Sequence, residues 1–192
     1  MRALTVGHST HAPGDFLALL DGAGVRALAD VRRFPGSRRH PHFAREALAG
    51  ALAQAGITYA HLPELGGRRA PAPDSPNAGW QVAGFRGYAD HLRSEEFATG
   101  RARLEALVAC TRDGGEASPG GDCAPPLTAI MCAEAQWWRC HRRLVADVMV
   151  LAGHDVAHLM TDGRLIEHEP PPFAVRGEDG LPLYPGQPEL GA

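Results

Sequence analysis

Five short apolar runs, spaced through the chain with helix-patterned stretches between them, constrain this sequence more than any other feature. They are Ala3–Gly7, Val25–Val31, Ile57–Leu62, Leu127–Met131 and Asp155–Leu159. Between them, Phe16, Leu17, Leu19 and Leu20 recur at helical spacing, and an Ala/Leu-rich helix is expected from Phe43 to Ala55. Two further helices are expected at Phe85–Leu92 and Phe97–Cys110, and one from about Arg139 to Leu151. Strands alternating with helices across short turns read as right-handed βαβ units. The expected fold is a single three-layer α/β domain, a mainly parallel sheet of about five strands with helices on both faces.

A chain of 192 residues suffices for one domain with a sizeable core. The domain is expected over 1–166, interrupted by a Gly/Pro-rich insertion at 112–126 and followed by a Pro/Gly-rich tail or docking arm at 167–192. No apolar run approaches the roughly 20 residues of a membrane span, and no signal-peptide pattern opens the chain. A cytoplasmic protein without a membrane partner is therefore expected. The formal charge of −3 argues against coating of nucleic acid by net charge. The basic residues are all arginine, and Arg32, Arg33, Arg38, Arg39, Arg45, Arg68 and Arg69 crowd the first third. The four cysteines, Cys110, Cys123, Cys132 and Cys140, are expected to be free.

If the strands run parallel, their carboxyl ends share one edge, where open α/β sheets bind ligands. That edge receives His8-Ser9, Asp30–Arg32, Glu64–Arg69 and Cys132–Arg142. Cys140 stands where a helix begins, and helix start, arginine and histidine all favour a thiolate nucleophile. His141 or His8 would carry protons, and Asp30 and Glu134 would act as acid and base or hold arginines in place. Arg32, Arg142, Ser9, Ser37 and the Gly66-Gly67 backbone suit a small anionic or phosphorylated ligand. No cofactor fingerprint is present. A divalent metal is the alternative, held by Cys132, Cys140, His141 and His8, although C-x7-C-H is not a zinc-ribbon spacing. Trp137 and Trp138 either stack a base or ring, or close the core.

GHST after the first strand, DVRRFPGS after the second, YAHLPELGGRR after the third and CAE…CHR later resemble the DUF488 family in order and spacing, over roughly residues 3 to 160. The resemblance implies a compact α/β domain. It marks His8, Ser9, Asp30, Arg32, Pro35, Ser37, Gly66, Gly67, Cys132, Glu134, Cys140, His141 and Arg142 as motif positions, and it implies no reaction. The functional expectation is an enzyme acting on a small anionic or nucleotide-like ligand through a Cys/His/Glu/Arg cluster. A metal-dependent hydrolase or nuclease, a nucleic-acid-binding module and a non-catalytic interaction domain stand as alternatives.

Overall fold

The computed structural model describes residues 1–36, 39–113 and 126–186. Ser37 and nearly all of the expected 112–126 insertion, with Cys123, lie outside these residues.

The chain starts with β1 (Arg2–Gly7) and enters α1 (Pro13–Gly22), whose Pro13 sits at a position where its missing N–H costs nothing. Phe16 and Leu20, one turn apart, turn that helix onto the sheet. Gly24, at φ +71°, makes the left-handed turn into β2 (Val25–Asp30). The helix expected from Phe43 is divided at Ala44, whose ψ of 148° is extended. A 3-10 turn at Pro41–Phe43 precedes α2 (Arg45–Gln54), which buries Leu48 and Leu52. Then come β3 (Thr58–His61), α3 (Ala83–His91), α4 (Glu95–Asp113), β4 (Leu127–Cys132), α5 (Arg142–Leu151) and β5 (Asp155–Leu159).

Five parallel strands and one antiparallel strand, β6 (Leu165–Glu167), form a sheet of order β3-β2-β4-β1-β5-β6. The strand β6 and a small hairpin of β7 (Val175–Arg176) and β8 (Pro182–Leu183) went unread in the sequence, since they are two or three residues long and mostly exposed. The segment after 167 docks on its own domain. Tyr184 is fully buried against Trp80, and its N–H donates to Asn77 Oδ1 at 3.0 Å. No helix among the described residues is long and apolar enough to cross a membrane.

The two faces of the sheet bury separate apolar clusters. On one face α1 and α2 supply Phe16, Leu20, Leu48 and Leu52; on the other, α5 supplies Leu144, Val145 and Val148, joined by Leu104 of α4 and Tyr88 of α3. β4 therefore occupies a special place. Its two neighbours, β1 and β2, send their chains to the α1/α2 face, whereas β4 sends its chain to the α5 face. Chains leaving in opposite directions part at the carboxyl end of β4, the switch point where open α/β sheets form a crevice. The last residue of β4 is Cys132.

Candidate active site

Side chains alternate along β4. Ala129 and Met131 enter the α1/α2 cluster, while Ile130 enters the α5 cluster and Cys132 packs against it. The following loop crosses the end of β1 so closely that a Cβ on Gly7 would penetrate the Glu134 carbonyl. A 3-10 turn at Trp137–Arg139 then leads into Cys140, extended at φ −123° and ψ 145°, with His141 as the residue just before α5. The helix thus starts three residues later than the periodicity suggests, and Cys140 lies just outside it.

This path returns Cys140 to Cys132. The two sulfurs and a ring nitrogen of His141 lie within 4.8 Å of one another. Arg142, only 1% exposed, donates its Nε to Cys140 Sγ at 3.4 Å and an Nη to the Glu134 carbonyl. His141 Nδ1 lies 3.6 Å from the same sulfur. The Cys132 S–H hydrogen bond holds the Cys140 thiol well below the usual range; burial opposes this, and His141 and Arg142 reinforce it. The Cys132 thiol is pushed up by the same hydrogen bond and by burial. The two thiols are thus shifted in opposite directions.

The loop after β3 closes over the histidine. A Cβ on Gly67 would lie 2.7 Å from His141 Nδ1, so glycine is what lets the backbone approach the imidazole. Tyr88 flanks the ring at 5.0 Å between centroids and anchors the loop by donating to the Leu65 carbonyl at 2.7 Å. Arg68 holds a left-handed φ of 64°, and Ser9 a φ of 46°, both at this edge of the sheet. Side chains rarely accept that region outside sites the surroundings over-determine.

The other sequence-derived candidates form a second cluster around Asp30, which is fully buried. Its carboxylate takes Arg32 Nε at 2.8 Å and Nη2 at 2.6 Å, and Tyr59 OH at 2.8 Å. Arg32 Nη1 lies 3.1 Å from His8 Nε2. An arginine can only donate, so His8 Nε2 accepts and Nδ1–H donates to the Ser9 carbonyl at 3.0 Å. Burial, and then Arg32, lower the His8 pKa to about 4. Its ring also stacks on Phe43 at 4.1 Å, within the α1/α2 layer.

The convergence expected from the sequence is thus of backbone ends, with the side chains sorted between two faces. His8 has no free lone pair to serve as base. Asp30 is wholly engaged in holding Arg32 and Tyr59. Arg32 and Arg142 spend their guanidinium groups on protein partners. The Glu134 carboxylate is exposed and receives Gln136 N–H at 3.2 Å; its carbonyl, not its carboxylate, meets Arg142. Gly66 packs on Arg33, where a Cβ would lie 2.8 Å from the arginine Cβ. Trp137 closes the core, stacked at 4.0 Å and 7° on His158, whereas Trp138 is 42% exposed.

Arg33 and Arg68, two of the arginines that crowd the first third of the sequence, are exposed beside the loop that touches His141, and neither makes a salt bridge among the described residues. Two features were not anticipated. Tyr88 carried no motif. A buried chain also runs from Thr5 Oγ1 to His158 (2.7 Å), His168 (2.9 Å) and Asp147 (2.7 Å), where Tyr184 OH also donates. Only its spacing across 179 residues hides it from the sequence; each member alone is an ordinary polar residue.

As a metal site, Cys132, Cys140 and His141 offer soft donors at suitable separation. His8 is occupied in the opposite layer. A metal-bound histidine normally donates its second ring N–H to an acceptor, but His141 Nε2 is buried without a protein partner. Cys140 Sγ moreover already receives a guanidinium. The fit to a metal is poor.

No curated protein and no solved structure matches the chain. A family model does match, over residues 13–112 and 122–149; it starts after His8-Ser9, at α1, and ends within α5. On this match the chain belongs to DUF488, a domain of unknown function.

Proposed function

We propose that this domain is an enzyme that uses the Cys140 thiolate as its nucleophile toward a small anionic substrate. The observation that carries the reading is the buried Arg142 guanidinium donating to Cys140 Sγ. A fully buried cation held against sulfur favours the ionised nucleophile over a neutral core thiol. His141, beside Sγ and under Gly67, is the group placed to exchange a proton with the substrate. Arg33 and Arg68 replace Arg32 and Arg142 as the anion-facing pair, because they flank the site and are exposed. Asp30 and Arg32 position the edge from the other layer.

The test is alkylation of Cys140 by iodoacetamide, read by peptide mass, with exposed Cys110 as internal reference. Cys140 should react at neutral pH faster than Cys110. In a folded Arg142→Met variant its rate should drop roughly tenfold, the scale of one lost hydrogen bond to a charged group. A Cys140 slower than Cys110, or indifferent to Arg142→Met, would remove the thiolate reading. A zinc adduct in native mass spectrometry, lost with Cys132→Ser, would replace it with metal chemistry.

A further inference from the structure

A single-nucleophile reaction needs one sulfur, yet Cys132 sits at the switch point with its sulfur within 4.8 Å of Cys140 Sγ. We infer that Cys132 and Cys140 are a resolving and a reacting thiol, and that Cys140 is a site of reversible oxidation by hydroperoxides. The inference rests on the thiolate reading of Cys140.

The geometry supports this in three ways. The sulfurs already lie within 4.8 Å, while a disulfide needs about 2.05 Å, so closing the bond is a short movement. The two cysteines also differ in freedom. Cys132 is the last residue of a strand between two parallel neighbours, paired with Gly7 of β1. Cys140 belongs to the extended link between a 3-10 turn and α5, outside any sheet ladder. The guanidinium also falls on one sulfur, since Arg142 Nε donates to Cys140 Sγ at 3.4 Å, which marks Cys140 as the attacking thiol and leaves Cys132 to supply the later proton.

In the first step the Cys140 thiolate attacks one oxygen of a hydroperoxide. The S–O bond forms, the O–O bond breaks, and the released alkoxide or hydroxide takes a proton from water. Cys140 is then a sulfenic acid, oxidised by two electrons. In the second step the Cys132 sulfur attacks that of Cys140, the S–S bond forms, and hydroxide leaves with the Cys132 proton as water. Two thiols and one hydroperoxide give a disulfide, an alcohol or water, and a water. A small dithiol supplies the two electrons that reverse it.

Arg142 sets the direction of this balance. In the disulfide its Nε loses a charged acceptor inside the protein, so the reduced pair is the better stabilised. Stabilising the dithiol makes the disulfide easier to reduce. The bond should therefore behave as a switch rather than a permanent staple. Trp137, three residues before Cys140 and stacked on His158, moves with the link and reports on it.

The experiment uses the full chain carrying Cys110→Ser and Cys123→Ser, with hydrogen peroxide as probe. The expected product has lost two hydrogens, maps to a Cys132–Cys140 peptide pair, and returns to the thiols with dithiothreitol. Tryptophan emission should change and recover in step. In Cys132→Ser, whose hydroxyl still donates to the thiolate, oxidation should stop with one oxygen on Cys140. Two thiols still alkylatable after peroxide, or a sulfenic acid persisting in the two-cysteine protein, would overturn the proposal. Slow alkylation of Cys140 in the reduced protein would instead fault the thiolate reading, so the two failures are told apart.

Discussion

Acidification should unfold this protein through a histidine that cannot carry protons while folded. His8 is 4% exposed, stacked on Phe43, and its Nε2 is occupied by Arg32 Nη1. Protonating it would break that bond and set two cations face to face. Its pKa is accordingly lowered from 6.5 to about 4, by burial first and Arg32 second. With the folded value below the unfolded one, the unfolded chain takes up the proton first as pH falls. The stability due to a neutral His8 is complete above about 6.5, declines from there, and is fully lost near pH 4. Between pH 7 and pH 5 the loss comes to about 2 kcal/mol. Urea denaturation of the wild type and of His8→Gln, at both pH values, measures it. The glutamine amide can still accept from Arg32 but does not titrate. His158, lowered to about 3 by burial and by His168, acts in the same direction and is common to both proteins. The wild type should lose about 2 kcal/mol more than the variant over this interval. In the wild type the His8 ring should also keep the NMR shifts of a neutral imidazole down to about pH 4. Equal losses in the two proteins, or a ring that titrates near 6.5, would refute the reasoning and return His8 to the list of candidate bases.

Two other substitutions test how the site is held. Gly7→Ala should cost about 3 kcal/mol or more, because its Cβ would collide with the backbone carbonyl of Glu134 and nothing flexible can yield; a lower urea midpoint, with Cys140 more slowly alkylated, is expected. Asp147→Asn leaves the buried His168 and Tyr184 donors short of one charged acceptor, at a cost of about 3 kcal/mol. Since those partners tie residues 168–184 to α5, limited proteolysis should cut that arm in the variant before the rest of the domain, and an arm as resistant as the wild type's would contradict the tie.

What the sequence determined by itself was the layered α/β fold, and the reason is periodicity. Apolar runs of strand length at regular intervals, each followed by a 3.6-residue pattern, admit few other arrangements; β5 was legible to the residue. The same logic put His8, Asp30, Arg32, Gly67, Cys132 and Cys140 at one edge. Short or exposed elements were illegible. β6, at three exposed residues, carries no alternation, and the 3-10 turn before α5 mimics the helix it precedes. The division of roles within the edge was decided only by tertiary structure. Strand alternation sends Asp30 into one layer and Cys132 into the other, a distinction of one residue in register. Whether Arg142 or Arg33 faces solvent depends on which side of α5 or of a loop the core covers. That Cys132, His141 and Arg142 all meet the Cys140 sulfur follows from a loop that returns the chain across eight residues, at distances no spacing rule contains.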